Sequence, residues 1–243
     1  MLNKYLSCIE GILQQVKNDE ATIKQAAQII AKSIQNDGLI HIFGCGHSHL
    51  IGEEIFYRAG GLVPVHPIFI EDLMLHKGAA RSSKLERQNH FIQPYLERYE
   101  IKKNDVFIVV STSGINGVPI DAALYAKSKG AEVIALTSLS YSKQSESRHH
   151  SKKKLYEVAD LVIDNHSEAG DAIIRDERIG QAFGPTSTVI GTAIINCIIV
   201  ETIQYLADEN IEPPIFISGN IEGADAHNQQ LITKYKDRIP NLS

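Results

Sequence analysis

The sequence predicts an α/β protein built on a parallel β-sheet, and three features point to that class. Residues 106–110, Val-Phe-Ile-Val-Val, form an unbroken apolar run that is typical of a strand buried on both faces. A Ser-Thr-Ser-Gly loop follows at 111–114, and a helix is then predicted over 118–129, with Gly130 as its C-cap. The same order of strand, small polar loop and helix occurs at 39–59. Two units of this kind indicate parallel strands that are joined by helices.

Length and composition predict a single domain over residues 1–243. The chain is 43% hydrophobic, which provides enough apolar surface for one complete core. Apolar residues at helical spacing predict two helices within 1–36, which we interpret as a helical extension that breaks near Asn18-Asp19. The apolar stripe of the first helix is expected to serve packing or an oligomer interface. Residues 207–243 are expected to form a tail with a helix around 226–234.

Between these ends, the pattern of apolar runs and turn residues predicts the remaining elements. Strands are predicted at 39–43, 63–70, 106–110, 133–138 and 161–164. Prolines in the second of these strands limit its pairing, so we expect it near an edge of the sheet. Further helices are predicted at 50–59, 91–99 and 189–206, and the last is expected to be a central buried helix. The polar segment 165–184 is expected to be irregular.

Two polar segments have more than one interpretation. Residues 71–89 are rich in ionisable groups, which suits either a lid over a site or a solvated helix, and we favour the solvated helix. Residues 140–154 are rich in Ser, Lys, Arg and His. They form either a basic patch or an exposed loop and helix end, and we favour the exposed loop.

Charge and cysteine content bound the function class. The net charge is −5 and no basic stripe is present, so we expect no nucleic-acid partner and no membrane partner. Cys8, Cys45 and Cys197 form neither a CxxC pair nor a disulfide framework, which indicates a reducing, cytoplasmic setting. The N-terminus lacks the pattern of a signal peptide. The longest apolar stretch, 193–200, is too short to span a bilayer.

The loops after the first and third strands predict an anion site. A helix N-terminus offers unpaired N–H groups and a partial positive charge, and Ser111, Thr112 and Ser113 add short donors beside it. The alternative is that these hydroxyls only cap the helix. The first loop, Gly-Cys-Gly-His-Ser-His at 44–49, is not a dinucleotide fingerprint, because His49 stands where the third glycine is required. It places Ser48 near a second helix N-terminus. Since both loops leave the carboxyl edge of one sheet, we expect them to converge on one phosphate.

These two motifs, Gly-x-Gly-x-Ser at 44–48 and Ser-Thr-Ser-Gly-Ile-Asn at 111–116, resemble the sugar isomerase (SIS) domain family over about residues 20–205. The segments 44–49 and 184–188 are similar to a group of uncharacterised phosphosugar-binding proteins labelled as phosphoheptose isomerases. The resemblance implies a three-layer αβα sandwich with a five-stranded parallel sheet. It also implies a homodimer or homotetramer with sites at subunit edges. The residues matching positions that hold the sugar phosphate are Ser48, Ser111, Thr112, Ser113 and Asn116.

The resemblance is weaker at the catalytic positions than at the phosphate-binding positions. In phosphoheptose isomerases the helix after the first loop supplies a zinc-binding His and, one turn later, a Glu. Here Glu54 and Arg58 occupy those positions, which implies that the zinc site is lost, and we expect no cofactor and no metal. A partial likeness to N-acetylmuramic acid 6-phosphate etherases rests on residues 186–188 and 191–193, but the etherase acid also falls at Arg58. Thr186 and Ser187 become further site candidates through this likeness.

Aldose–ketose isomerisation requires a general base that moves a proton between C1 and C2, and an acid or cation that polarises the carbonyl. Glu54 is our first candidate for the base, and the alternative is that it only forms an ion pair with Arg58 at i,i+4. His47 and His49 titrate near neutrality and are candidate acid or base groups, or simple hydrogen-bond donors. Weaker candidates are Glu177, Asp171 and His227. A metal cluster of His47 and His49 with His41, His66 or His76 is not expected, because no cysteine or fixed second pair accompanies them.

We therefore expect a cytoplasmic protein that binds a sugar phosphate and catalyses its aldose–ketose isomerisation. Two alternatives stay open: an amino-sugar phosphate etherase or lyase, and a phosphosugar sensor that has lost the base. The sequence contains no recognisable DNA-binding domain, which argues against a transcription factor but not against a sensor that binds another protein.

Overall fold

The computed structural model describes residues 1–243 and contains one five-stranded, fully parallel sheet, which confirms the predicted fold class. The strands are β1 (Ile40–Gly44), β2 (Val65–Pro67), β3 (Val106–Val110), β4 (Glu132–Thr137) and β5 (Leu161–Asp164). Their order across the sheet is β2-β1-β3-β4-β5, so β2 is an edge strand, as its prolines predict. β1 and β3 pair in register, with Gly44 opposite Val110 at the carboxyl end.

Ten α-helices surround this sheet. They are α1 (Leu2–Asn18), α2 (Glu20–Gln35), α3 (Leu50–Ile55), α4 (Ala79–Leu85), α5 (Gln93–Leu96), α6 (Gly117–Ser128), α7 (Leu139–Gln144), α8 (Leu155–Val158), α9 (Ser187–Asp208) and α10 (Ala224–Tyr235). Short 3-10 helices lie at Gly46–His49, Glu71–Leu73, Leu75–Lys77 and Pro240–Leu242. The predicted helix at 50–59 ends early, because Phe56 is extended and Tyr57 adopts a positive φ.

Two hydrophobic clusters cover the two faces of the sheet. One contains the buried side chains of α1, α2, α3 and α9 together with Ile40 and Ile42 of β1. The other contains the buried side chains of α5, α6 and α8 together with Phe43. Alternate residues of a strand point to opposite faces, which explains why β1 contributes to both clusters. The N-terminal helices are thus packed into the main core as part of one helical layer.

Helix α9 is the long apolar helix at the centre of that layer. It runs for 22 residues, and by length and composition alone it could cross a membrane. The apolar stretch 193–200, considered in the sequence analysis, is only part of this helix. Its side chains at Ile190, Ile194, Ile195 and Ile198 are buried against the sheet cluster and α2. Burial of this face identifies α9 as the predicted core helix.

The segment 165–184 is not wholly irregular, contrary to expectation. It contains a β-hairpin of β6 (Ile174–Asp176) and β7 (Ile179–Phe183). Arg178 closes the turn by donating from Nε and Nη2 to the carboxylate of Asp176 at 2.9 and 2.8 Å. The exposed strand β7 has a glycine, a glutamine and an alanine in place of alternating large residues, so its sequence carries no strand periodicity.

The C-terminal tail packs against the amino-terminal end of the sheet through a buried carboxylate, Asp105. One oxygen accepts the backbone N–H of Leu39 at 2.8 Å. The other lies 2.7 Å from the backbone N of Lys102, 2.7 Å from Nη2 of Arg238 and 3.1 Å from Nε2 of His41. Burial alone would raise the pKa of Asp105, but the hydrogen bonds from His41, Lys102 and Leu39 outweigh it and lower the pKa to about 2.

A second buried group, His66, lies beside this network and is expected to make stability depend on pH. Its ring packs between His41 and Tyr99, and neither ring nitrogen has a hydrogen-bond partner. Burial, followed by the neighbouring charges of His41 and Arg238, lowers the pKa of His66 to about 3. Between pH 6.5 and 3 the unfolded chain therefore binds a proton at His66 that the folded chain does not.

We expect the free energy of unfolding to fall by about 2 kcal/mol through His66 alone as the pH decreases from 6.5 to 4.5. The His66→Phe variant keeps the ring packing and removes the titration, so its stability should decline less over this window. Urea unfolding of both proteins at a series of pH values measures the difference. Parallel stability curves for the two proteins would refute this origin of the pH dependence.

Candidate functional site

The candidate site lies at the carboxyl edge of the sheet, where β1 and β3 are neighbours. The chain leaves β1 towards α3, whose Ile51 and Ile55 join the cluster on one face of the sheet. It leaves β3 towards α6, whose Val118 and Ile120 join the cluster on the other face. Two adjacent parallel strands whose connections depart to opposite faces leave a crevice between their loops, and ligands of open α/β sheets bind in such crevices.

The first loop folds back tightly over the end of β1. A side chain at Gly44 would meet the backbone of Ser48 at 2.6 Å, so the turn requires glycine there. Gly46 has φ +54, which glycine adopts without strain, and opens the 3-10 helix Gly46–His49. The side chain of Ser48 is half-buried on this turn and is not hydrogen-bonded to another protein group. Its hydroxyl is therefore available to a ligand.

The second loop is held by hydrogen bonds to its own backbone. The N–H of Gly114 donates to Oγ of Ser111 at 3.3 Å, and Oγ of Ser142 donates to the carbonyl of Ser113 at 2.6 Å. Gly114 has φ +61, and a side chain there would meet the hydroxyls of Ser142 and Thr137 below 3 Å. The hydroxyl of Ser113 has no partner in the chain. No side chain caps the start of α6, so capping does not account for these hydroxyls.

Asn116 begins α6 and is buried, and both ends of its amide are engaged. Nδ2 donates to Oε1 of Glu86 at 2.8 Å, and Oδ1 accepts from Nη1 of Arg148 at 2.8 Å. The segment 71–89, interpreted from sequence as a solvated helix, thus contributes an inward-facing carboxylate. Asn116 thus holds a carboxyl group and a guanidinium cation beside the loop.

Glu86 is a carboxylate that interacts with both loops. It contacts Asn116 of the second loop, and its charge acts on the thiol of Cys45 in the first: burial, then Glu86, raise the pKa of Cys45. Burial also raises the pKa of Glu86, against the opposing effects of Asn116, Arg87 and Arg148. A carboxyl group with a raised pKa in a crevice is suited to proton transfer near neutral pH. Nothing in the sequence around Glu86 distinguishes it from a solvent-exposed glutamate.

A third loop reaches the same edge after β5. Nδ2 of the buried Asn165 lies 3.4 Å from Oγ1 of Thr112, and its Oδ1 accepts the backbone N–H of Ser167 at 3.0 Å. Oγ1 of Thr186 donates to Oγ of Ser167 at 3.1 Å. This chain of hydrogen bonds brings the start of α9 onto the network of the second loop. Asn165 and Ser167 could not be singled out from the sequence, because they lie in the polar segment 165–184, in which many side chains are polar.

Asp171 organises the start of α9. Its Oδ1 accepts the backbone N–H groups of Thr186 and Ser187, both at 2.9 Å, and its Oδ2 accepts the Ser187 hydroxyl at 2.6 Å. Asp171 therefore acts as a capping carboxylate at a helix N-terminus, where a negative charge is stabilising. The hydroxyl of Ser187 is committed to this cap.

Glu54, the first candidate for the base, forms the ion pair that was its alternative interpretation. Its Oε1 lies 3.1 Å from Nη1 of Arg58 and 3.1 Å from Nδ2 of Asn196 on α9. The guanidinium of Arg58 thus stands beside the carboxylate of Glu54. A cation in that position does not fit a zinc ion held at residues 54 and 58.

The other candidates lie at the following places. His49 is buried in the 3-10 helix, with Nδ1 on the carbonyl of Gly46 and Nε2 3.3 Å from Glu53, whereas His47 is exposed at the tip of the loop. His227 binds the carbonyl of Ile215 within the tail at 2.9 Å, and Glu177 is exposed in the turn of the β6–β7 hairpin. The structure does not bring these last two to the crevice. His41 and His66 lie near the amino-terminal end of the sheet, so they form no cluster with His47 and His49.

Comparison with known proteins agrees with this fold. A UPF0309 protein of Geobacillus thermodenitrificans is 56% identical over 243 residues, which cover 100% of this chain and 98% of the relative. A phosphoheptose isomerase from Francisella tularensis has a similar structure, with a TM-score of 0.54 and 16% identity over 84% of this chain and 96% of that one. The sugar isomerase domain of an RpiR transcription factor from Sphaerobacter thermophilus has a TM-score of 0.52 and 14% identity over 95% and 97% of the two chains. The model of the SIS domain matches residues 4–138, and the chain belongs to the SIS domain family.

Proposed function

We propose that the protein binds a sugar phosphate in the crevice between the β1 and β3 loops and catalyses its aldose–ketose isomerisation. The observation that carries the proposal is the divergence of two adjacent βα loops at the carboxyl edge, with the unpartnered hydroxyls of Ser48 and Ser113 on those loops. The similar fold of a phosphoheptose isomerase supports the substrate class. The three free cysteines suit a cytoplasmic location.

The phosphate is assigned to the hydroxyls and backbone N–H groups of the two loops. Ser48 and Ser113 donate directly, and Ser111 shapes the second loop by accepting the N–H of Gly114. The hydroxyl of Thr112 lies 3.4 Å from Nδ2 of Asn165, which positions it. The N-terminus of α6 adds its partial positive charge. Asn116 serves this site by holding Arg148 and Glu86 rather than by direct contact with phosphate.

Proton transfer is assigned to Glu86. As a carboxylate it removes the proton from C2 of the aldose phosphate, and as a carboxylic acid it returns that proton to C1 of the enediolate. A proton must also move from the C2 hydroxyl to the C1 oxygen, and the exposed imidazole of His47 is the candidate for this step. Arg148 provides positive charge for the enediolate oxygens. Glu54 stays a second candidate for the base, but its carboxylate is occupied by contacts with Arg58 and Asn196.

Two other functions would use the same crevice. An etherase or lyase would break a C–O bond of an amino-sugar phosphate, and product analysis distinguishes it from an isomerase. A sensor would bind the sugar phosphate without converting it, and the fold shared with a transcription-factor domain keeps this alternative open. The raised pKa of the half-buried Glu86 carboxyl favours the enzyme over the sensor, because a sensor has no need of a base.

We also propose that the protein is a homodimer or homotetramer that associates through α1. Leu2, Leu6 and Leu13 are exposed on α1, on a side of the helix that the core does not cover. The N-terminal half of α1 is tied to the hairpin region, since Lys4 donates to the carbonyl of Arg175 and Tyr5 to that of Pro185. A row of exposed leucines on a rigid helix is suited to burial against a second copy.

The Ser111→Ala/Ser113→Ala double variant tests phosphate binding. We expect at least tenfold weaker binding of the sugar phosphate that stabilises the wild-type protein most in a thermal-shift screen, because two loop hydroxyls are lost. Unphosphorylated sugars should bind poorly to either protein. Isothermal titration calorimetry measures both affinities.

A matched control removes two hydroxyls outside the crevice, with Ser83→Ala on α4 and Ser128→Ala at the end of α6. This control should bind as the wild-type protein does. Equal binding of phosphorylated and unphosphorylated sugars, or unchanged affinity of the Ser111/Ser113 variant, would contradict the assigned phosphate site.

A further inference from the structure

Three chain segments that meet at Asn116 meet a second time, a few residues further along, at a cluster of two histidines and one carboxylate. Glu86 is followed by His90, Asn116 by Asp121 on α6, and Arg148 by His150. One potential ligand atom from each of His90, Asp121 and His150 lies within 4.8 Å of the other two. None of these three residues belongs to the phosphate site or to the helix that carries zinc ligands in phosphoheptose isomerases.

The carboxylate of this cluster is fixed in place. Oδ2 of Asp121 accepts the backbone N–H of His90 at 2.5 Å, and Oδ1 lies 3.0 Å from Nε2 of His149. His149 is fully buried, and its Nδ1 lies 2.7 Å from Oγ of Ser151. Each oxygen of Asp121 has one such partner and keeps a second lone pair. Asp121 is thus oriented by its neighbours as carboxylate ligands of metal ions are.

The side chains of both histidines are exposed, and the ring of His150 also contacts a neighbouring amide. The backbone N–H of His150 donates to Oδ1 of Asn89 at 2.8 Å, and Nδ1 of the same ring lies 3.3 Å from that oxygen. A proton on Nδ1 facing the amide oxygen leaves the lone pair of Nε2 free, which is the usual arrangement of a metal-bound imidazole. His90 has a strained backbone with φ +62, while its side chain is exposed and can rotate.

We propose that His90, Asp121 and His150 bind one divalent transition-metal ion of the zinc class. Two imidazoles and one carboxylate, with the solvent-facing side left open to water as a fourth ligand, are a ligand set known from zinc sites with three protein ligands. Ligand atoms around a tetrahedral zinc ion lie roughly 3.4 Å apart, given bonds of about 2.1 Å. Closing the present separation of up to 4.8 Å requires the two exposed imidazoles, whose ring centroids lie 4.6 Å apart, to rotate towards the ion.

The position of the ion gives it a structural role. His90 belongs to the segment that carries Glu86, and His150 to the loop that carries Arg148, while Asp121 lies on the helix that starts at Asn116. The ion therefore crosslinks the three segments whose side chains meet at Asn116. Binding of the ion itself does not depend on the proposed isomerase function, because it uses none of the crevice residues.

Equilibrium dialysis of chelator-treated protein against Zn²⁺, with metal analysis of the retained fraction, tests the site. We expect one zinc ion per chain in the wild-type protein. The His90→Ala/His150→Ala variant should bind it at least tenfold more weakly, because two of three ligands are lost. Both side chains are exposed, so this variant should fold, and circular dichroism verifies that it does. Co²⁺ bound to the wild-type protein should show visible absorption bands that the variant lacks.

The matched control removes two other exposed histidines, with His47→Ala and His76→Ala, and should retain the wild-type affinity for Zn²⁺. Wild-type protein that retains less than about 0.1 zinc ion per chain would overturn the proposal. Equal zinc affinity of the wild-type protein and the His90/His150 variant would also overturn it. Loss of binding in the control variant instead would place the metal at His47 or His76 and refute the assigned ligands. No sugar phosphate enters these measurements, so their outcome is independent of the proposed function.

Discussion

Replacing Glu86 by Gln is expected to lower the turnover number of sugar-phosphate isomerisation by between about 10²- and 10⁴-fold, the range lost with a general base. The substitution is nearly isosteric, and the new amide oxygen can still accept the hydrogen bond from Asn116. The backbone of residue 86 stays anchored, because its carbonyl accepts the N–H of Val118 and its N–H donates to Ser82. Binding of the sugar phosphate should therefore change by less than about threefold, in contrast to the loss of proton transfer.

Deuterium incorporation from D₂O into the sugar phosphate, followed by NMR, measures proton transfer directly, whichever ketose phosphate is formed. The matched control is Glu54→Gln, which removes a carboxylate of equal charge that is occupied by Arg58 and Asn196. Glu86→Asp should retain partial exchange. The exchange rate of the wild-type protein should fall on the acid side of the pKa of Glu86, which burial places above the ordinary value of a glutamate. A Glu54→Gln variant that loses exchange while Glu86→Gln retains it would transfer the role of base to Glu54.

The fold is predictable from the sequence because its main features are local. The apolar run at 106–110 predicts a strand, and the glycine-containing loops at 44–49 and 111–117 each predict a turn and the start of a helix. All of these signals lie within a dozen residues of one another in each unit. Their order then requires a parallel sheet. The β6–β7 hairpin is missed because its exposed strand lacks alternation, and because its turn is stabilised by the Arg178–Asp176 pair rather than by a turn sequence.

The chemical groups of the site are less predictable, because they are assembled from distant parts of the chain. Glu86 reaches the crevice only because Asn116 and the backbone of α6 hold its segment there. His90, Asp121 and His150 are separated by about 30 residues each and form no spacing motif, so sequence reasoning expects no metal. Glu54 shows the converse, because its position in the sequence suggests a catalytic base but its carboxylate is occupied by the ion pair with Arg58.

The Asp105→Asn variant is expected to lose about 3–5 kcal/mol of unfolding free energy, the typical cost of removing one partner of a buried ion pair. Asp105 is fully buried and accepts from Leu39, Lys102 and Arg238, and its fourth contact is His41. An amide presents one NH₂ group to these donors, so at least one hydrogen bond becomes a donor–donor contact. The guanidinium of Arg238 is then left partly buried without its nearest anion, and the C-terminal tail loses one attachment to the sheet, while its apolar contacts with Leu39 and Val63 remain.

Glu100→Gln provides the matched control, since Glu100 also pairs with Arg238, at 3.4 Å, but is exposed to solvent. An exposed ion pair contributes at most about 1 kcal/mol, so this variant should unfold near the wild-type midpoint in urea. The Asp105→Asn variant should unfold at clearly lower urea concentration and at a melting temperature lower by roughly 10 °C. Because the pKa of Asp105 is about 2, protonation of this group destabilises the wild-type protein only as the pH falls below 3.8, whereas the variant lacks that contribution at every pH. Similar urea midpoints for the two variants would show that burial of Asp105 adds nothing to its pairing with Arg238.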